Sequence, residues 1–254
     1  MAKRRNREAK ILELVQRHGF VTIDALAREF EVTPQTVRRD INHLAQQSQV
    51  RRYHGGAGLP SSVENLSYST RKILNHAGKQ RIAQLLARHI PNDASVFINI
   101  GTTNEEVARA LLDHSGLRVI TNNLNVANIL AGQTGFEVII AGGLVRHRDR
   151  GVIGEATLDL INQFKVDVGV IGISGIDEDG ALLEFDYREV RVAQAIIANS
   201  RRVCLAVDYS KFGRNAMVRQ GSITQVDAFF TDRPPPDEIV RLLEEHGIEL
   251  HVAD

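Results

Sequence analysis

From residue 76 onward the chain alternates between short apolar runs and amphipathic segments, and no other feature restricts its fold so tightly. The runs are SVFINI (95–100), LRVIT (117–121), FEVIIAGG (136–143), VGVIGI (168–173), RVCLAV (202–207), DAFFTD (227–232) and IELHVA (248–253). Between them lie helical patterns: Ile82, Leu85, Leu86 and Ile90; residues 104–113; NVANILA (125–131); ATLDLINQF (156–164); REVRVAQAIIANS (188–200); and residues 236–246. Strands alternating with helices predict a mostly parallel sheet with helices on its faces. Ligands of such sheets bind at the carboxyl ends of the strands.

The loops after the strands are therefore the candidate site. Gly101-Thr102-Thr103 opens a helix after the first strand, offering backbone N–H groups, two hydroxyls and a helix N-terminus to an anion. Thr103 and Glu106 have the spacing of a capping box. Thr121, Asn122 and Asn123 follow the second strand, and the two asparagines either meet a ligand or cap the next helix. Gly142-Gly143 follows the third strand and lets a backbone come close. GISGIDEDG (172–180) follows the fourth, and VDYSKFGR (207–214), with Asp208, Ser210 and Lys211, follows the fifth. None of these is a Walker loop or a GxGxxG fingerprint, which argues against ATP and dinucleotides.

The first sixty residues have a different character. Helices are expected over 5–18, with Gly19 as its stop, after the cap Thr22, and over about 34–47. In the last, Thr33 caps, Pro34 takes the first turn, and Val37, Ile41 and Leu44 face inward. The opposite face carries Gln35, Arg39, Asn42 and Gln46, flanked by Thr36 and Arg38. Gln pairs with adenine and Arg with guanine, while hydroxyls and further arginines hold phosphates. VRRYHGGAG (50–58) follows as a small β wing. Val50 and Tyr53 face inward, Arg51, Arg52 and His54 outward, and Gly55-Gly56 makes the reversal.

Charge is divided in the same way. The 254 residues sum to zero, but residues 1–58 hold eleven Lys/Arg against six Asp/Glu, a net +5, leaving −5 on the rest. A basic end on an acidic body points to a nucleic-acid module joined to something else. Cys204, the single cysteine, sits in an apolar run and is read as a core residue; no intrachain disulfide or cysteine-built zinc site is expected. The nine histidines show no metal-ligand spacing. No run approaches the ~18 apolar residues of a membrane span. No apolar signal core follows the basic MAKRRNREAK, so a cytoplasmic protein is expected.

TPQTVRRDINHL followed by VRRYHGGA resembles the signature of the DeoR family of bacterial repressors. Ser48 departs from it, standing where the family usually has glycine. The resemblance continues through Gly101-Thr102-Thr103, Thr121-Asn122, Gly142-Gly143 and Asp208-x-Ser210-Lys211-Phe212. A second departure is Asn99, where family members commonly carry Asp. An amide can hydrogen-bond a hydroxyl but cannot act as a carboxylate. The resemblance implies a winged helix-turn-helix (1–58), a linker (59–75), and a C-terminal mostly parallel α/β domain (76–254) similar to ribose-5-phosphate isomerase. It further implies a repressor that uses no cofactor.

Two partners follow from the resemblance. Double-stranded operator DNA would meet Thr33, Gln35, Thr36, Arg38, Arg39, Asn42, Arg51, Arg52 and His54. A small phosphorylated polyol or sugar would meet Gly101, Thr102, Thr103, Thr121, Asn122, Gly142, Gly143, Asp208 and Lys211. Residue chemistry alone does not separate glycerol 3-phosphate from a longer sugar phosphate. A sugar-phosphate isomerase is the alternative of another class, with Asp177, Asp179, Glu184, Asp208 and Lys211 as its raw material. Proteins with this DNA-binding motif act as symmetric assemblies, so a homodimer or tetramer is expected.

Overall fold

The computed structural model describes residues 2–18, 20–47, 49–53, 55–58 and 65–254, with the side chains of residues 2, 3 and 16–18 left aside. Gly19, Ser48 and His54 lie outside the described residues. The chain forms two compact units, residues 1–75 and 76–254.

The first unit contains α1 (Ala2–His18), β1 (Phe20–Thr22), α2 (Ile23–Glu29), α3 (Pro34–Gln46), β2 (Arg51–Tyr53), β3 (Gly56–Gly58) and α4 (Tyr68–Ile73). Thr22 caps α2, accepting from the Ala25 N–H at 3.1 Å. Thr33 caps α3, accepting from the Thr36 N–H at 3.3 Å, with Pro34 in the first turn. The three helices close over Ile11, Val15, Leu26, Val37, Ile41, Leu44 and Val50. Burying each such side chain contributes roughly 1.5–3 kcal/mol. The strands form an antiparallel sheet in the order β1-β3-β2. Gly55, at φ +94°, makes the reversal between β2 and β3. A Cβ on Gly56 would collide with the Phe20 ring and the Val21 carbonyl. The strand Phe20–Thr22 is not foreseen by sequence pattern, because only its pairing with Gly56–Gly58 makes it one.

Part of the stretch read as linker is ordered. Ser67 caps the six-residue α4, accepting from the Thr70 N–H at 3.1 Å, and Leu74 packs on Phe20 and Tyr53.

The second unit runs α5 (His76–Ala87), β4 (Ser95–Ile98), α6 (Thr102–Ala110), β5 (Arg118–Thr121), α7 (Leu124–Leu130), β6 (Glu137–Ile140), β7 (Leu144–Val145), β8 (Val152–Ile153) and α8 (Glu155–Ile161). It continues with β9 (Val166–Ile171), β10 (Gly175–Ile176), β11 (Ala181–Glu184), α9 (Tyr187–Ala198), β12 (Ser200–Val207), β13 (Val218–Ser222), β14 (Ala228–Thr231), α10 (Asp237–Glu245) and β15 (Glu249–Val252). The seven expected strands form one parallel sheet, ordered β15-β14-β12-β9-β4-β5-β6.

Strand alternation divides its core in two. Val96, Ile98, Cys204, Ala206 and Phe230 face the layer holding α5, α6 and α7. Phe97, Val203, Leu205, Val207 and Phe229 face that of α8, α9 and α10. Cys204 is a buried core residue, and burial raises its thiol to about 11. The chain builds outward from β4 through β5 to β6, then returns to set β9 against β4. That reversal puts a topological switch point between β4 and β9. A hairpin (β7–β8) and a small antiparallel sheet (β10-β11-β13) complete the unit. Among the described residues, no helix is long and apolar enough to cross a membrane.

Candidate functional site

Helix α3 presents the polar face its sequence indicates. Gln35, Arg38, Arg39 and Gln46 are exposed, and Thr36 and Asn42 partly so. The Thr33 and Thr36 hydroxyls lie 3.0 Å apart at the start of the helix. Asp40, in the middle of the Arg-Arg-Asp run, is buried and turned the other way. It accepts from Arg7 Nε at 2.5 Å and lies 3.6 Å from Arg4, so it fastens α1 to α3. The carboxylate holds the Arg7 guanidinium above its ordinary pKa. Two of the eleven bases are thereby spent within the unit.

The wing differs from expectation in one respect. Arg51 and Arg52 occupy successive positions of β2 and therefore face opposite ways. Arg52 is exposed and donates from Nη1 to Asn42 Oδ1 at 2.9 Å. Arg51 is half-buried beside Tyr53, and burial lowers its pKa. Of the two wing arginines, Arg52 alone is exposed. His54 lies outside the described residues.

In the second unit the strand-end loops gather along one edge. Gly101, at φ +143°, is the N-cap of α6 and makes no side-chain cap. The helix starts at Thr102, so the capping box expected at Thr103 and Glu106 does not form; Glu106 instead lies 3.4 Å from Arg109. Thr102 and Thr103 are buried at the first turn. Asn99 turns back on its own loop, Oδ1 accepting from the Ile100 N–H at 2.7 Å. The Thr121 hydroxyl is engaged twice, donating to the Ile98 carbonyl at 2.6 Å and accepting from the Asn123 N–H at 3.0 Å. It braces the fold rather than offering itself to a ligand. Asn123 caps α7, and Asn122 donates to the Val152 carbonyl at 3.0 Å. Gly143, at φ +145°, is required by packing: a Cβ there would press on Thr157 and the Ile153 carbonyl. A Cβ on Gly142 would meet nothing within 4 Å.

Four buried polar atoms at these strand ends have no hydrogen-bond partner: Asn104 Oδ1, Asn122 Oδ1, Asn123 Nδ2 and Thr231 Oγ1. An unsatisfied buried group costs about 1–3 kcal/mol. Asn104 lies in the first turn of α6, and the other three follow or end β5 and β14; buried groups of this kind are met by water or by a ligand.

A band of charge lies along the same edge, much of it invisible as a sequence motif. Glu105 accepts from Asn125 Nδ2 at 2.9 Å, and the same nitrogen donates to the Asp149 carbonyl at 3.2 Å. Arg146 is buried and reaches Asp149 (2.7 Å), Glu189 (2.6 Å) and Asp186 (3.3 Å), pinning the β7–β8 hairpin to the start of α9. Burial opposes its charge, but Glu189 and Asp149 outweigh that and raise its pKa. Burial would likewise raise Asp186; Arg188 and Arg146 prevail and hold it at about 2. Glu184 is pushed up to about 7, by burial first and then by the charge of Glu189, against the pull of Ser174 and Lys211. Asp208 is fully buried, yet Lys211, Lys79 and hydrogen bonds from Ser210 keep its carboxyl below the ordinary range. Lys79, Glu105, Asn125, Arg146, Asp149 and Glu189 are additions that sequence reading did not find. They come from five separate segments, and no sequence motif links those segments.

A winged helix-turn-helix with a polar, basic outer helix face is joined in one chain to a parallel α/β unit with a charged carboxyl edge. That combination is the layout of a DNA-binding regulator with a sensor domain. The chain belongs to the DeoR family: residues 7–63 match the DeoR-like helix-turn-helix domain and residues 74–233 the DeoR C-terminal sensor domain. It is 55% identical over 251 residues to the glycerol-3-phosphate regulon repressor of Escherichia coli K12, covering 99% of this chain and 100% of that one. It is 48% identical over 244 residues to the repressor of the same name from Haemophilus influenzae, covering 96% and 95%. Among solved structures, ribose 5-phosphate isomerase A of Methanocaldococcus jannaschii overlaps 55% of this chain and 56% of its own. The identity is 14% and the TM-score 0.41.

Proposed function

We propose that this protein represses genes of glycerol and glycerol 3-phosphate metabolism and leaves its operators when glycerol 3-phosphate binds the second unit. The first part is supported by the α3 face and the wing. Gln35 and Arg39 read base edges, Thr33, Thr36, Arg38 and Arg52 hold phosphates, and Asn42 is positioned by Arg52. Half-buried Arg51 contributes through its charge near the backbone.

The single observation that carries the effector site is the set of unpartnered buried atoms at the strand ends, beside a first turn of α6 that no side chain caps. The backbone N–H groups after Gly101, the hydroxyls of Thr102 and Thr103, and Lys211 suit a phosphate. Asn104, Asn122 and Asp208 suit the hydroxyls of a short polyol. Gly142 leaves room for close approach. Nothing in this residue set separates one small phosphorylated polyol from another; the choice of glycerol 3-phosphate follows the two repressors named above. The setting is cytoplasmic, and the DNA-bound form is a symmetric homo-oligomer.

Calorimetry of the whole protein tests the site. Glycerol 3-phosphate binds, glycerol does not, and Lys211→Met weakens binding at least about tenfold through loss of a charge-assisted contact to the phosphate. Equal heats from glycerol and glycerol 3-phosphate would remove the phosphate from the reading.

A further inference from the structure

Lys79 is 2% exposed, an unusual place for an ammonium group. A lysine so buried needs a counter-charge. Asp208, itself 1% exposed and at the carboxyl end of β12, lies within electrostatic reach of it.

The position of Lys79 along the chain gives this pairing its consequence. Helix α5 begins at His76, and residue 75 ends the DNA-binding unit. The far end of α5 is held at the amino edge of the sheet: the His114 ring, just before β5, hydrogen-bonds the carbonyls of Ala87 (3.1 Å) and Ile90 (2.9 Å). Its first residue, His76, lies 3.8 Å from Glu106 in the opening turns of α6. The helix therefore runs antiparallel to the strands, with its first turn at the carboxyl edge where the strand-end loops gather. The chain enters the second unit at the edge that carries the candidate effector site.

We propose that Lys79 couples the two functions: an anionic effector at the strand ends competes with Asp208 for the buried ammonium, and the exchange shifts α5, the helix continuous with the DNA-binding unit. The proposal rests on the effector reading above. An effector changes an equilibrium only through contacts that differ between its two states. An ion pair in a dry site differs by far more than an exposed one. Lys211 is the second cation beside Asp208, so the carboxylate keeps a partner when Lys79 leaves it.

The test compares the parent chain with Lys79→Met, following retention of an operator fragment at fixed salt and, separately, glycerol 3-phosphate binding by calorimetry. The variant is expected to bind the operator as the parent does and glycerol 3-phosphate within about tenfold, yet to need at least about thirtyfold more of it for release. Release at the parent's concentration overturns the proposal. So does loss of both release and calorimetric binding, which would make Lys79 a ligand contact and no more. A parent that no phosphorylated polyol or sugar releases defeats the effector reading itself, and the coupling with it. Should Lys79→Met melt far below the parent, Lys79→Gln, which keeps a polar side chain at the buried position while removing the charge, carries the same comparison of binding against release.

Discussion

Arg52 Nη1 donates to Asn42 Oδ1 at 2.9 Å, tying the wing to the outer face of the helix proposed to read DNA. An exposed bond of this kind adds little to stability. Its effect is to hold the wing and the outer face of α3 in one arrangement, which reduces the ordering cost of the DNA contact proposed for them. Arg52→Ala is expected to weaken operator and unrelated DNA alike and to reduce the salt slope of binding by about one. Arg39→Ala, by contrast, should cost about 1–3 kcal/mol on the operator alone. Fluorescence anisotropy across a salt series separates the two.

Asp40 belongs to the same Arg-Arg-Asp run, but its role is structural. Replacing it with Ala leaves the Arg7 guanidinium without its 2.5 Å partner and unfastens α1 from α3. The expected loss is about 1–3 kcal/mol, discounted for the partial exposure of Arg7. Urea unfolding followed by circular dichroism reads it, with operator binding falling only as the unit unfolds.

Arg146 answers three carboxylates. Arg146→Met removes the buried cation shared by Asp149, Asp186 and Glu189, leaving Asp186 its Arg188 partner, at a cost of about 3–5 kcal/mol. Arg146→Lys should recover little of this, because a point charge cannot reproduce the guanidinium fork. The melting temperatures of the two variants check both statements.

Glu184 gives the stability a pH dependence of known sign. Its carboxyl is raised from 4.5 to about 7, so within that window the folded chain holds a proton that the unfolded chain has lost. This contribution to stability is lost as pH rises from about 4.5 to 7. Glu184→Gln should melt above the parent at pH 8 and close to it at pH 5. Asp208 works in the opposite sense: its carboxyl is held below 3.8, and its contribution is lost only in acid.

The two glycines after β6 should separate. Gly143→Ala forces a Cβ against Thr157 and the Ile153 carbonyl at a positive φ, costing about 1–3 kcal/mol. Gly142→Ala meets open space and should leave stability within about 0.5 kcal/mol of the parent. If the effector's backbone approach is close there, Gly142→Ala weakens glycerol 3-phosphate binding without moving the melting temperature.

These residues also show what a sequence can and cannot reveal. Helix α3 was legible because Thr33, Pro34 and the spacing of Val37, Ile41 and Leu44 all report the same local structure. The seven parallel strands were legible because strands buried on both faces read as apolar runs, as in RVCLAV. The short antiparallel pieces were not. Phe20–Thr22 and Leu144–Val145 are strands only because distant segments pair with them, and no local periodicity records that. The capping-box pattern at Thr103 and Glu106 misled, because α6 starts at Thr102 and leaves glycine at the cap. Lys79 and Arg146 were missed for a related reason. Each reads as an ordinary surface base until the fold encloses it with acids from elsewhere.

The measurement that bears most directly on the whole reading is operator retention under effector titration. The protein is mixed at fixed salt with DNA upstream of its own gene and of glycerol-use genes, and glycerol 3-phosphate, ribose 5-phosphate and glycerol are added in turn. Tight binding, with release by glycerol 3-phosphate and not by glycerol, is the predicted result. Failure to bind any of these DNAs, or binding that no phosphorylated polyol or sugar relieves, would contradict it.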